Sequence, residues 1–133
     1  MLFLLDTDTC SYAIRNASTR LDARLATAAP DSLAISAVTR AELMFGLEKR
    51  GNPRELTRLV HGFLDRVAVM PWDAQAADHF AKLRALLEHG GTPIGIFDTM
   101  IAGHAVALKA TLVTNNQKHF QKVKALKFEN WLN

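Results

Sequence analysis

Leu33-Ala34-Ile35-Ser36-Ala37-Val38-Thr39-Arg40-Ala41-Glu42-Leu43-Met44-Phe45 passes from an apolar run of strand length straight into a segment of helical character. The same alternation recurs along the chain. Leu2–Leu5, Val67–Met70 and Thr111–Val113 read as further strands, and Lys127–Glu129 is a weaker fifth. Longer segments of helical period lie between them. Asn52 followed by Pro53 predicts a capped helix running to about Arg66. Asp73 predicts a second cap, for a helix whose apolar positions Ala77, Phe80, Leu83, Leu86 and Leu87 hold their spacing until Gly90-Gly91 stops it. Strand runs that are apolar on both faces, and separated by helices, indicate a parallel sheet covered on each side. The expected fold class is α/β, a three-layer α/β/α sandwich around a central, mostly parallel sheet of about five strands.

With 133 residues, 49% of them hydrophobic, the chain reads as a single domain over 1–133. A chain of this length buries about two-thirds of the surface that its unfolded form exposes. The net charge of +3 and a pI near 9.3 lean toward an anionic partner, though weakly. Cys10 is the only cysteine, so an internal disulfide is excluded and nothing points to an oxidising compartment. The apolar start breaks at Asp6, too early for a signal-peptide core, and no run approaches the roughly 18 apolar residues of a membrane helix. The expectation is a cytoplasmic protein.

Three carboxylates sit beside runs of core-type residues. Asp6 ends Leu2-Phe3-Leu4-Leu5, Glu42 lies within Ala41-Glu42-Leu43-Met44-Phe45, and Asp98 opens Thr99-Met100-Ile101-Ala102. A carboxylate held against a core is costly unless a cation or hydrogen bonds compensate it, and the sequence neighbours offer little besides Arg40. Taken singly, each has an ordinary explanation: Asp6 and Asp98 as helix caps, Glu42 as part of a solvated face. Taken together they share a location. The crevice of an open parallel sheet lies beyond the carboxyl ends of its strands, where Asp6 follows the first strand and Asn115 and Asn116 follow Leu112-Val113-Thr114. Several acids converging there would form a pocket for a divalent cation.

Five segments in order carry a resemblance. Leu4-Leu5-Asp6-Thr7-Asp8, Ile35-Ser36-Ala37-Val38-Thr39-Arg40-Ala41-Glu42-Leu43 with Gly46, Gly91-Thr92-Pro93-Ile94-Gly95, Phe97-Asp98-Thr99-Met100-Ile101-Ala102-Gly103-His104-Ala105 and Leu112-Val113-Thr114-Asn115-Asn116 resemble the successive motifs of the PIN-domain ribonucleases, specifically the VapC toxins of bacterial toxin–antitoxin pairs. The resemblance runs from Leu2 to Trp131. It implies the toxic component of a type II pair, a Mg²⁺- or Mn²⁺-dependent endoribonuclease that hydrolyses RNA phosphodiester bonds, with tRNA the first substrate to test. It also implies a homodimer and a VapB-type antitoxin whose C-terminal tail fills the active-site groove. The family's catalytic and metal-binding acids fall on Asp6, Glu42 and Asp98, and its further acidic or amide position falls on Asn116.

Two positions depart from the family pattern. Asp8 stands where Asn is commoner and Asn116 where many members carry Asp, so a carboxylate has in effect moved across the pocket, and Asp8 becomes a further metal-ligand candidate. Phe97 replaces a common Asn, which removes any polar contact from that position. The chemistry suits the residue types: Mg²⁺ takes oxygen ligands and keeps several waters, so a few carboxylates around an open position serve it better than His or Cys. No Ser/His/Asp arrangement offers a competing route. His104 reads as a packed core residue, and Arg40, two positions from Glu42, as a candidate RNA contact. A non-catalytic, metal-binding signalling domain of α/β/α shape is the alternative, but a phospho-acceptor receiver would need a Lys where Asn115 and Asn116 follow the fourth strand. A DNA-directed PIN nuclease is the third reading.

Overall fold

The computed structural model describes residues 1–133. Five strands alternate with helices. They are β1 (Phe3–Leu5), β2 (Leu33–Ser36), β3 (Ala68–Met70), β4 (Thr111–Val113) and β5 (Lys127–Glu129). The helices are α1 (Thr7–Ile14), α2 (Thr19–Thr27), α3 (Ala37–Lys49), α4 (Arg54–Leu64), α5 (Ala74–His89), α6 (Ile96–Leu108) and the short α7 (Gln117–Phe120). The strands form one sheet in the order β3-β2-β1-β4-β5, and every pairing is parallel. The expected α/β/α sandwich is present, including the weak fifth strand.

Alternation along each strand feeds two separate cores. Leu4, Ala34 and Leu112 point into one with Leu83 and Leu87 of α5, Ile101 and Ala105 of α6, and Phe120. Leu5, Leu33, Ile35 and Val113 point into the other with Cys10, Leu21, Leu43, Leu47, Val60 and Phe63 from α1 to α4. Each core is one layer of helices packed on one face of the sheet. A strand buried on both faces has no place for polar side chains until it ends, so polar residues collect at the strand ends. Burying Leu4 and Leu5 completely contributes about 1.5–3 kcal/mol each.

The order of strands sets the position of the crevice. From β1 the chain moves outward to β2 and β3, then returns to the other side of β1 for β4 and β5. The reversal falls between β1 and β4, which is where ligands bind in open parallel sheets. The ladder there extends one residue past the strand, because the Asp6 N–H donates to the Val113 carbonyl at 3.0 Å.

Helix boundaries follow local chemistry, with three corrections to the sequence reading. Asp73 caps α5 as anticipated, accepting from the Ala76 N–H at 3.0 Å. Asn52 does not cap α4: it takes a left-handed conformation (φ 54°) and donates its N–H to the Leu47 carbonyl, closing α3, while Pro53 precedes α4 without a side-chain cap. Leu86 keeps helical spacing but is 55% exposed, because Leu83 and Leu87 take the inward stripe of α5. Phe45 likewise points outward, 65% exposed, so Glu42 is not enclosed by it.

Helix α6 packs closest to α5 at Gly103. A Cβ built there would lie 2.7 Å from Phe80 Cα and 2.8 Å from its backbone nitrogen. Backbone cannot yield as a side chain can, so Gly103→Ala should lose more to overpacking than the ~1 kcal/mol it gains in helix propensity. The expected outcome is a net loss of about 1–3 kcal/mol, read as a lower urea midpoint at unchanged m-value.

Candidate active site

Asp6 occupies the sheet's reversal point and is 5% exposed. Its extended backbone ends β1, and its Oδ1 accepts the Thr9 N–H at 2.8 Å, capping α1. The ordinary reading and the functional one are therefore both satisfied by one side chain. Burial pushes its carboxyl pKa up, against hydrogen bonds from Thr114 and Thr9, and the charge of Asp8 adds to the rise.

Glu42 stands on α3, half-buried, and accepts the Thr7 hydroxyl at 2.6 Å. The Thr39 hydroxyl lies 3.1 Å from that of Thr7. Thr7 has one proton, given to Glu42, so it accepts from Thr39. Burial raises the Glu42 pKa, the Thr7 hydrogen bond lowers it, and the charges of Asp98 and then Asp6 raise it further. Asp98 lies in the first turn of α6, half-buried, where Gly95 precedes the helix without a side-chain cap. Its pKa also rises through burial, with His119 opposing and Asp8 adding.

Asp6, Asp8, Glu42 and Asp98 thus lie within electrostatic reach of one another. No cation compensates them by contact. The three ion pairs in the molecule, Arg24–Glu129, Arg58–Glu55 and Arg84–Glu88, are all on the surface and use none of these acids. Hydroxyls and backbone N–H groups take the place expected of Arg40, which is exposed and bonds to none of the acids. Asn116 is half-buried, and its backbone N–H donates to the Thr114 hydroxyl at 3.0 Å; its side chain bonds to none of the three central carboxylates.

The sequence reading missed this hydroxyl set. Thr7 and Thr9 follow Asp6, Thr39 precedes Glu42, and Thr114 follows the fourth strand. A threonine within three residues of Asp6 and of Glu42 was the available signal. It also missed His119, and a groove of about 410 Å³ beside Glu42. Leu47 and Val60 are among the apolar residues of the groove, Asp8 and Glu42 supply acidic groups, and Arg15 and Arg50 are also part of its lining.

The donor set fits a hydrated divalent cation. No three His, Cys, Asp or Glu side chains stand close enough to enclose an ion by themselves. Mg²⁺ does not require such a cage, since it binds through one or two carboxylates and retains waters. What favours a cation is the set of oxygen donors itself, desolvated and mutually repelling.

Comparison with known proteins gives the family and the fold. Residues 3–126 match the family described as PIN domain. The chain is 38% identical over 129 residues to the tRNA(fMet)-specific endonuclease VapC of Salmonella typhimurium, covering 97% of each chain. It superposes with a TM-score of 0.90 on a chain of the DNA-bound VapBC structure from Salmonella typhimurium, at 39% identity and over 98% of this chain and 99% of that one. A chain of VapBC2 from Rickettsia felis, bound to a DNA fragment from its promoter, gives 0.91 at 36% identity over 98% and 99%.

The raised carboxyl pKa values fix the sign of a pH effect. A carboxylate whose folded pKa is raised makes the folded state bind more protons than the unfolded one, so stability falls as pH rises from the unfolded value through the folded value. Metal-free protein should therefore gain stability from these groups as pH is lowered from neutral toward the ordinary carboxylate range. Asp98→Asn should melt higher than wild type at pH 7 in EDTA and show a shallower dependence over that window. Melts in EDTA across that range check both.

Proposed function

The chain belongs to the PIN-domain family, among its VapC ribonucleases, and from that premise we propose that Asp6, Glu42 and Asp98 form the catalytic and metal-binding site of a divalent-cation-dependent endoribonuclease that cleaves tRNA. The observation that carries this is the convergence of desolvated carboxylates, unpaired by any cation, at the reversal point of an all-parallel sheet. Mg²⁺, or Mn²⁺ in its place, would supply charge neutralisation at the scissile phosphate and activation of an attacking water. Asp6 and Asp98, one after the first strand and the other in the first turn of α6, are the first candidates to hold it. Asp8 adds a carboxylate on the exposed side.

The protein's own groups have separable tasks. Asp6 commits Oδ1 to the Thr9 N–H, which fixes the carboxyl group's orientation. Glu42 is held by Thr7, itself held by Thr39, so its carboxylate is pre-oriented by a chain of hydroxyls. Its raised pKa suits it to accept the proton of a water attacking phosphorus. Asn116 supplies an amide where many relatives carry an acid, and Arg40 supplies an exposed cation for the RNA backbone.

The tRNA assignment rests on the likeness to the Salmonella enzyme. As in the VapBC assemblies that the fold resembles, a VapB-type antitoxin is the partner of this toxin. Its C-terminal tail would occupy the groove beside Glu42, whose apolar lining suits an amphipathic segment. A second copy of the chain completes a homodimer.

Asp6→Asn, Glu42→Gln and Asp98→Asn should each reduce cleavage of tRNA by at least about a hundredfold and abolish growth arrest, with the fold retained. Cleavage that persists in Asp98→Asn, or in EDTA, refutes the assignment. Mn²⁺ at about ten to a hundred times its Kd should stabilise wild type by roughly 1–3 kcal/mol and Asp98→Asn by much less. Thermal melts with and without Mn²⁺ measure this without any RNA.

A further inference from the structure

His104 is 1% exposed and Ser36 is fully buried, and they meet across the core with Nδ1 2.9 Å from Oγ. We propose that His104 is a positioning residue for the acidic site, fixing through this hydrogen bond the helix that carries Asp98 against the helix that carries Glu42. The inference rests on the reading of those two acids as site carboxylates.

Proton accounting gives the bond its direction. The Ser36 Oγ caps α3 by accepting the Val38 N–H at 3.1 Å, and its own proton has no other acceptor. It therefore donates to His104 Nδ1, and the ring carries its proton on Nε2. Nε2 is buried and has no partner at full hydrogen-bond geometry, its proton being left to the weaker pull of the Pro71 carbonyl. Burial holds the ring below its ordinary pKa, with the Asp73 charge and the Pro71 carbonyl opposing, so Nδ1 stays an acceptor. A leucine here would bring no polar atom of its own but would leave the buried Ser36 proton without an acceptor, so the position calls for an acceptor as well as for volume.

No other side-chain hydrogen bond joins α6 to β2 or α3. The remaining ones of α6 are the Trp72 indole N–H to the Met100 carbonyl and the Thr99 hydroxyl to the Gly95 carbonyl. Contact at Gly103 sets the distance to α5, but apolar contact does not fix orientation as a hydrogen bond does. The pin is placed evenly. Asp98 lies six residues before His104 on α6 (104 − 98), and Glu42 six residues after Ser36 on α3 (42 − 36). Each acid is thus about 9 Å of helix from the bond. Over that length a tilt of about 6° moves a carboxylate by about 1 Å, enough to cost roughly a hundredfold in rate.

The test compares His104→Leu, His104→Asn and Ser36→Ala in two measurements, tRNA cleavage at saturating Mn²⁺ and Mn²⁺ affinity of the RNA-free protein by calorimetry. Asn places an acceptor near the Nδ1 position, so it serves as the conservative rescue. His104→Leu should lower kcat about 10–100-fold with KM within about twofold, and weaken Mn²⁺ binding severalfold, while its melting temperature falls by no more than the loss of one buried hydrogen bond accounts for. His104→Asn should keep kcat within about threefold, and Ser36→Ala combined with His104→Leu should be no worse than the more impaired single variant. Wild-type kcat and Mn²⁺ affinity in His104→Leu overturns the proposal. So do equal losses in Leu and Asn that track their melting temperatures, which would mark a packing role. If Asp98→Asn cleaves normally, the site reading has failed instead, so the two failures are distinguishable.

Discussion

Asp6 sits almost fully buried where the sheet reverses direction, with no cation to offset its charge. The site is organised around that desolvated carboxylate. One of its oxygens is occupied by the α1 cap, and the hydroxyls of Thr9 and Thr114 lower the cost of its charge without cancelling it. Glu42 and Asp98 approach from two other helices, and each is raised in pKa by burial before any neighbouring acid acts on it. Concentrating negative charge in a region of reduced dielectric destabilises a folded chain. In the function proposed above, that strain is offset by a cation, which a self-repelling set of carboxylates attracts.

The parallel sheet makes this concentration possible. Both faces of every inner strand are consumed by core packing, so chemistry is displaced to the strand ends, and parallel pairing puts those ends on one edge. Asp6 and Thr114 then become neighbours by geometry alone, although more than a hundred residues separate them. Helix α6 needs more than this. It is brought close to α5 by the absence of a side chain at Gly103, tied by Trp72 to Met100, and oriented by His104 on Ser36. The precision of Asp98 is a property of helix packing far from the acid itself.

Periodicity exposed the architecture because burial on both faces leaves a plain trace: Leu2–Leu5, Leu33–Ser36 and Thr111–Val113 contain few interruptions, and runs of that length suit strands better than helices. Failures occurred where the trace was local and ambiguous. Asn52 before Pro53 has the chemistry of a cap, yet tertiary packing closes α3 through its left-handed backbone instead. Leu86 and Phe45 have apolar side chains in good helical register but face outward, because a helix on one side of a sheet has only one inward stripe.

By itself the sequence determined the α/β class, the number of strands and the family, and it singled out the candidate acids, since these depend on residue type, spacing and order along the chain. The tertiary structure decided which oxygens and hydroxyls meet. That Thr7 orients Glu42, that Thr114 lies by Asp6, that Arg40 stands apart from the acids and that His104 finds Ser36 all follow from where the sheet order reverses and how closely the helices pack. Contacts between residues 35 to 108 positions apart leave no periodic signature. They exist only once two cores have fixed the helices on either side of the sheet, and the geometry of the candidate site is set there.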